Sequence, residues 1–325
     1  MRPTHVLSTL LITALSSYAM AKGTTQTPDA ALALTTINGV PLKVNVGDDM
    51  SFQVFNTTID GGATGQIYPS TQTTLADMGW MVRVGSTLYA PSFSAHGSTA
   101  TSGLGTLVPY GAPTASSVSG SGTTAAPFTV TTTGTLGATL SASQRVTYVN
   151  GENFFRKAFT LSNSAAAPVS VRVFLGSDIY LASSDSGKPF RESQSGAPGG
   201  QTCAGVTPTY TILHISQGTP AATSFSATGF SNIWSQIGAG ALDNTVNTAA
   251  CIDNGAALGW DVAIPAGGST TFSAATSFGA IPVIVGPPPV VAPVVPVPTL
   301  GNISLMLLVT GLLGFGVVLV GRRQA

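Results

Sequence analysis

Along most of this chain the large apolar residues recur at every second position, and no useful length follows the three-and-four spacing of a helix. Val169, Val171, Val173 and Leu175 alternate with Ser170 and Arg172. Met50, Phe52 and Val54 behave alike, as do Val146 with Tyr148, the run Leu258, Trp260, Val262 and Ile264, and the run Thr270, Phe272 and Ala274. Successive side chains of a strand point to opposite faces, so a period of two turns one face inward and wets the other. Phe155, Phe159 and Leu161 continue the pattern, with Lys157 the exception among them; Tyr210, Ile212 and His214 oppose Thr211, Leu213 and Ile215. Turn clusters separate the runs: Asn150-Gly151-Glu152-Asn153, Ser162-Asn163-Ser164 and Pro265-Ala266-Gly267-Gly268. Many short strands joined this way predict an all-β antiparallel sandwich, one large or two abutting. Residues 98–127 are poor in large apolar groups and read as an excursion loop or a hinge between halves.

Composition agrees with a folded, exported β-protein. Only 7% of the residues are charged, against roughly 25% in an average soluble chain. Ser, Thr, Gly, Ala and Asn take their place, and Val, Thr and Phe supply strand formers and a core. Three of the twelve basic residues, Arg2, Arg322 and Arg323, lie at the ends, which leaves the body mildly acidic. No stretch clusters Lys and Arg, so the basic footprint of a nucleic-acid binder is missing.

Both ends carry targeting patterns. Residues 1–21 run from Arg2 through an apolar stretch at Val6 to Leu15 and close on Ala19-Met20-Ala21. This is the order of a secretory signal peptide cut after Ala21, and the body then spans 22–285. Residues 286–300, GPPPVVAPVVPVPTL, form a proline-rich spacer expected to stay extended as polyproline II. In 301–325, Ile303 to Val320 carries no charge and is just long enough to cross a bilayer as one helix. Arg322 and Arg323 follow at once, which by the positive-inside rule keeps this end cytoplasmic and the body outside the inner membrane.

The order of spacer, Val297-Pro298-Thr299-Leu300, apolar helix and Arg322-Arg323 resembles the IPTL-CTERM sorting signal of Gram-negative bacteria, a relative of PEP-CTERM. Val297 stands where that family usually has Ile, and Asn302-Ile303 where an acidic residue and a Trp are common. The resemblance covers about the last 30 residues. It implies an exosortase-type processing enzyme that cuts near the motif and passes the protein to the envelope or a matrix with extracellular polysaccharide. The alternative is a plain single-span anchor on a proline-rich stalk. Within the body, the piece from Arg145 to Gly187 resembles bacterial exported domains in which two long strands flank an Asn-Ser turn and lead to an Asp-Ser-Gly loop; it bears on fold only.

Cys203 and Cys251 are the two cysteines. In an oxidising compartment they are expected to pair, closing a loop of about 48 residues for ~3–4 kcal/mol. The sharpest candidate for chemistry is SDIYLASSDSG, with Asp178 and Asp185 on either side of a short strand. With Glu192 and loop carbonyls they could supply the six to eight oxygens of a Ca²⁺ site, although the EF-hand spacing is absent. The bland alternative is a pair of turn-forming aspartates. Asp243, Asp253 and Asp261 are scattered near Cys251 and read as solvated loop charge.

Other chemistries find less support. His96 sits in a Ser/Gly loop and reads as solvated; His214 reads as a sheet residue, and no H-E-x-x-H links a zinc pair. No G-x-S-x-G nucleophile turn occurs. A glycosidase needs two facing carboxylates, and a pair such as Glu152 with Asp178 has no motif behind it. Trp260 is expected in the core, and Trp234 in SNIWSQ on the surface, where it could stack on a sugar. The functional expectation is an exported structural or binding module of the envelope or matrix. A carboxylate-pair enzyme on polysaccharide and a Ca²⁺-stabilised adhesive module are the alternatives.

Overall fold

The computed structural model describes residues 32–70, 74–248 and 251–279. The signal peptide, the proline-rich spacer, the Val297–Leu300 motif and the C-terminal apolar run lie outside them. Strands dominate, and their pairing is antiparallel except for one short parallel pair and a parallel bridge between Ala227 and Val246. No helix of the described residues is long and apolar enough to cross a membrane.

The described residues open with three antiparallel strands, β1 (Leu34–Asn38), β2 (Leu42–Gly47) and β3 (Ser51–Asn56). They continue into β4 (Ala76–Val84) and β5 (Thr87–Ala90), which β6 (Val108–Pro109) joins in parallel. Next come β7 (Gly111–Ala115), β8 (Phe128–Leu136), β9 (Leu140–Tyr148) and β10 (Phe154–Asn163), a run of antiparallel neighbours. β11 (Val169–Asp178) returns to lie beside β4. β12 (Ser186–Arg191), β13 (Pro198–Gln201) and β14 (Thr211–Gln217) follow in sequence. Then come β15 (Ser224–Gly229), the helix α1 (Phe230–Ala239), β16 (Ile252–Ile264) and β17 (Ser269–Gly279).

Two layers result. One runs β1-β2-β3-β4-β11-β16-β15; the other runs β7-β8-β9-β10-β17-β14-β13-β12. Alternate residues of both enter one core. Trp80 of β4 stacks on Phe159 of β10, ring centroids 5.0 Å apart, and Trp260 of β16 meets both Trp80 and Phe272 of β17. Residues 98–127, expected to be a loop or hinge, contain β6 and β7, and β7 pairs with β8.

The alternating pattern forces Lys157 inward along with Phe155 and Phe159. It is fully buried, its Nζ lying over the rings of Phe155 and Phe52 at 4.3 and 5.6 Å, and it donates to Thr276 Oγ1. His214 Nδ1 meets the same hydroxyl at 3.0 Å, and its Nε2 meets Ser177 Oγ at 2.7 Å. A buried polar chain therefore runs through the core, each member satisfied by the next.

The helix is a departure from the period-two reading. Phe230, Ile233, Trp234 and Ile237 do follow the i, i+3, i+4, i+7 spacing of a short amphipathic helix. Ile233, Trp234 and Ile237 pack against Met81, Phe174 and Ala257 on the outer side of the β4-β11-β16 layer. Trp234 is thus fully buried rather than exposed to sugar. The helix seats over Gly176, where an added Cβ would lie 2.6 Å from Ile237 Cδ1 and 3.1 Å from Trp234 Cζ3. It stops at Gly240, which is left-handed (φ 81°). Arg83 and Arg172 cap this end by donating to the carbonyls of Gly238 and Gly240.

Candidate metal centre

β11 and β16 pair along ten residues, from Val169 opposite Ile264 to Asp178 opposite Gly255. Asp253 stands two positions before Gly255, so the period of two puts its side chain on the same face as Asp178. Asp185 arrives from the loop before β12. That loop reverses tightly, Leu181 and Ser184 exchanging backbone hydrogen bonds with Ala182 and Ser183 both left-handed (φ 54° and 58°). The reversal lets Ser186 pair with Asp253 and Gly187 with Ile252.

Carboxylate oxygens of Asp178, Asp185 and Asp253 consequently lie within 4.8 Å of one another. Asp178 is 1% exposed, and the other two are half-buried. In each of the three, Oδ1 is buried without a hydrogen-bond partner. The ion pairs of the described residues, His96–Asp49, Arg156–Glu152 and Arg172–Asp261, leave this group out. Burial, and then the charge of Asp253, Asp77 and Asp185, pushes Asp178 up to about 9. Burial and the neighbouring Asp185 push Asp253 up to about 6, and burial raises Asp185. Tyr68 borders the cluster: its backbone N–H donates to the Asp178 carbonyl at 3.3 Å, and burial and then the acids raise its phenol. Converging carboxyl oxygens short of hydrogen-bond donors are what a hard cation such as Ca²⁺ binds, displacing the proton that the raised Asp178 holds, with carbonyls and water completing the shell. The residues present fit such an ion.

The disulfide stands next to this group. Cys203 and Cys251 are bonded, their Cα atoms 5.5 Å apart. Cys203 Sγ lies 3.3 Å from the carbonyl of Ser186, and Cys251 is two residues before Asp253.

Other sequence candidates go elsewhere. Glu192 does not join Asp178 and Asp185. It accepts from the backbone N–H of Gln194 and Ser195 and from the Ser195 hydroxyl, which hold its carboxyl down to about 2. Glu152 forms a two-pronged pair with Arg156 instead of facing Asp178. Asp243 accepts from Gln236 and Thr245, and Asp261 pairs with Arg172. Asp253 is the member of that scattered group that proved not to be solvated loop charge.

His96 is 6% exposed rather than solvated. Its Nε2 meets Asp49 Oδ2 at 3.0 Å and Ser51 Oγ at 3.4 Å. Serine, histidine and aspartate therefore meet, but Ser51 and Asp49 share one ring nitrogen. A nucleophile relay needs the acid on the opposite nitrogen. Asp49 also accepts from the backbone N–H of Ser51 and Ser92, so the trio ties β3 to the stretch after β5.

No protein-family model matches the chain, and no curated protein matches it in sequence. Among solved structures it is similar to a bacterial glucoamylase complexed with acarbose, at 10% identity and a TM-score of 0.43, covering 76% of this chain and 32% of that one. Heparinase III gives 10% and 0.41, covering 77% and 36%. A galactose mutarotase-like protein from Lactobacillus casei gives 11% and 0.35, covering 76% and 100%. The chain spans about a third of the first two. At these values the function has to be read from the chain's own residues.

Proposed function

We propose that this chain is an exported, calcium-stabilised β-sandwich module of the cell envelope or extracellular matrix, one large sandwich with a structural or binding role. The observation that carries it is the meeting of Asp178, Asp185 and Asp253 with an unpartnered buried oxygen on each. Three carboxylates so placed destabilise the fold on their own, and a divalent cation converts that repulsion into a clamp between β11, β12 and β16. Such a clamp suits export into a medium that supplies millimolar calcium. The disulfide supports the same reading, since structural disulfides persist in oxidising compartments. In this proposal Ala19 to Ala21 mark removal of the leader. Val297–Leu300 with Arg322 and Arg323 hand the body to an exosortase-type enzyme at the inner membrane, and extracellular polysaccharide is the partner it meets.

Thermal unfolding of the mature protein in chelator and in millimolar Ca²⁺ tests the reading. A rise in Tm with Ca²⁺ that Asp178→Asn abolishes is expected; superposable melting curves would overturn it.

A polysaccharide-acting enzyme is the second reading. The short carboxylate separation and the raised Asp178 favour it, because a retaining glycosidase holds its acid and nucleophile about 5 Å apart. Against it, Asp178 is 1% exposed, and Trp80, Trp234 and Trp260 are all buried, leaving no indole to stack on a sugar. Release of reducing sugar by the wild type and not by Asp178→Asn would favour the enzyme.

A further inference from the structure

We infer that the Cys203–Cys251 disulfide and the three-carboxylate site form one thermodynamically linked unit, in which oxidation of the cysteines builds the cation site and the cation favours the oxidised pair. The inference rests on the cation reading above. More than acidic clustering supports that site: the Asp178 side chain, 1% exposed, points an unpartnered oxygen into it.

The coupling follows from how unequally the three carboxylates are held. Asp178 and Asp253 ride on a ladder of ten residue pairs. Asp185 is joined to that ladder through two pairs only, Ser186 with Asp253 and Gly187 with Ile252. Repulsion among the carboxylates acts to open this short seam. The disulfide sits on it: Cys251 is next to Ile252, and Cys203 Sγ touches the Ser186 carbonyl. The crosslink therefore traps the start of β12 between the chain after β13 and the start of β16. With the bond broken, the two pairs of this seam, the Leu181–Ser184 turn and the β12–β13 ladder must hold Asp185 against its neighbours without a crosslink, and the site's hold on its third acid ligand weakens.

Reduction by an added dithiol breaks the sulfur–sulfur bond by thiolate attack. Two electrons and two protons pass to the cysteines, and the reductant leaves as its cyclic disulfide. Linkage is reciprocal: the factor by which oxidation tightens Ca²⁺ binding is the factor by which Ca²⁺ protects the disulfide.

The test uses the full chain and Ca²⁺ alone. Its affinity is measured calorimetrically on the oxidised protein, the dithiothreitol-reduced protein and the Cys203→Ser/Cys251→Ser variant. The reduction midpoint is measured with and without Ca²⁺, in the wild type and in Asp178→Asn. Affinity is expected to fall at least about tenfold on reduction, within the usual range of coupling between sites. The midpoint is expected to move toward harder reduction with Ca²⁺ in the wild type and not in Asp178→Asn. Should the reduced chain or the Ser variant lose its circular dichroism, the midpoint comparison, which starts from the folded oxidised protein, decides. Equal Ca²⁺ affinity with an unmoved midpoint overturns the coupling and leaves the cation site standing. No Ca²⁺ binding by the oxidised chain overturns the cation reading and this inference with it.

Discussion

Lys157 donates its buried hydrogen bond to Thr276 on the neighbouring strand, inside the core and away from any carboxylate partner among the ion pairs of the described residues. Burial lowers its ammonium well below the usual 10.5. His214, on the same hydroxyl, is lowered well below 6.5, first by burial and then by Lys157. In both groups the unfolded chain holds a proton that the folded chain does not. Stability therefore rises with pH wherever pH lies between the folded and unfolded values. It is expected to fall as pH drops below about 10.5, and more steeply below about 6.5, each group contributing up to about 1.4 kcal/mol per pH unit. Denaturant unfolding against pH checks this. Lys157→Met should flatten the alkaline part of the curve, and His214→Gln the part below about 6.5.

Gly176→Val should detach the helix. The added side chain would enter the space held by Ile237 and Trp234, and overpacking of this kind costs about 1–3 kcal/mol. The near-ultraviolet signal of Trp234 should weaken at temperatures where the strand signal is intact. A wild-type melting curve would refute the packing role of this glycine.

Asp178→Asn is expected to act in opposite senses with and without cation. In chelator the wild type must take up a proton at Asp178 on folding, because its carboxyl is raised to about 9, and this costs stability at every pH above the unfolded value of about 3.9. Asn has no proton to take up, so stability at neutral pH should rise, and the gain should grow with pH up to about 9. In millimolar Ca²⁺ it should be less stable than the wild type. A variant destabilised equally in both conditions would mean that Asp178 serves packing alone.

Intact mass of protein from the native host's membrane and medium tests the proposed processing. A chain beginning at Lys22 and ending near Thr299 is the expected product. A species ending at Ala325 and found only in membrane would make the C-terminal run a plain anchor.

The strands could be read because their signal is local. Val171, Val173 and Leu175 announce their faces within five residues, and burial of each follows from the pleat alone. Two cysteines admit one pairing, which is why Cys203 and Cys251 were legible. The helix was missed although Phe230, Ile233, Trp234 and Ile237 carry its spacing, because ten residues among Ser, Gly and Asn are short for a periodic signal. His96 was missed for a different reason: its partner Asp49 lies 47 residues earlier, and no local pattern marks such a bond.

By itself the sequence determined the all-β class, the inward faces of the strands, the single cysteine pair and the acidic loop around Asp178 and Asp185. Tertiary structure alone decided that Asp253 completes that group and Glu192 does not. The reason is register. Hydrophobic period tells each strand which face to bury, but the meeting of Asp178 with Asp253 depends on how β11 slides against β16. That alignment is settled by packing across the whole core rather than by any residue near either acid.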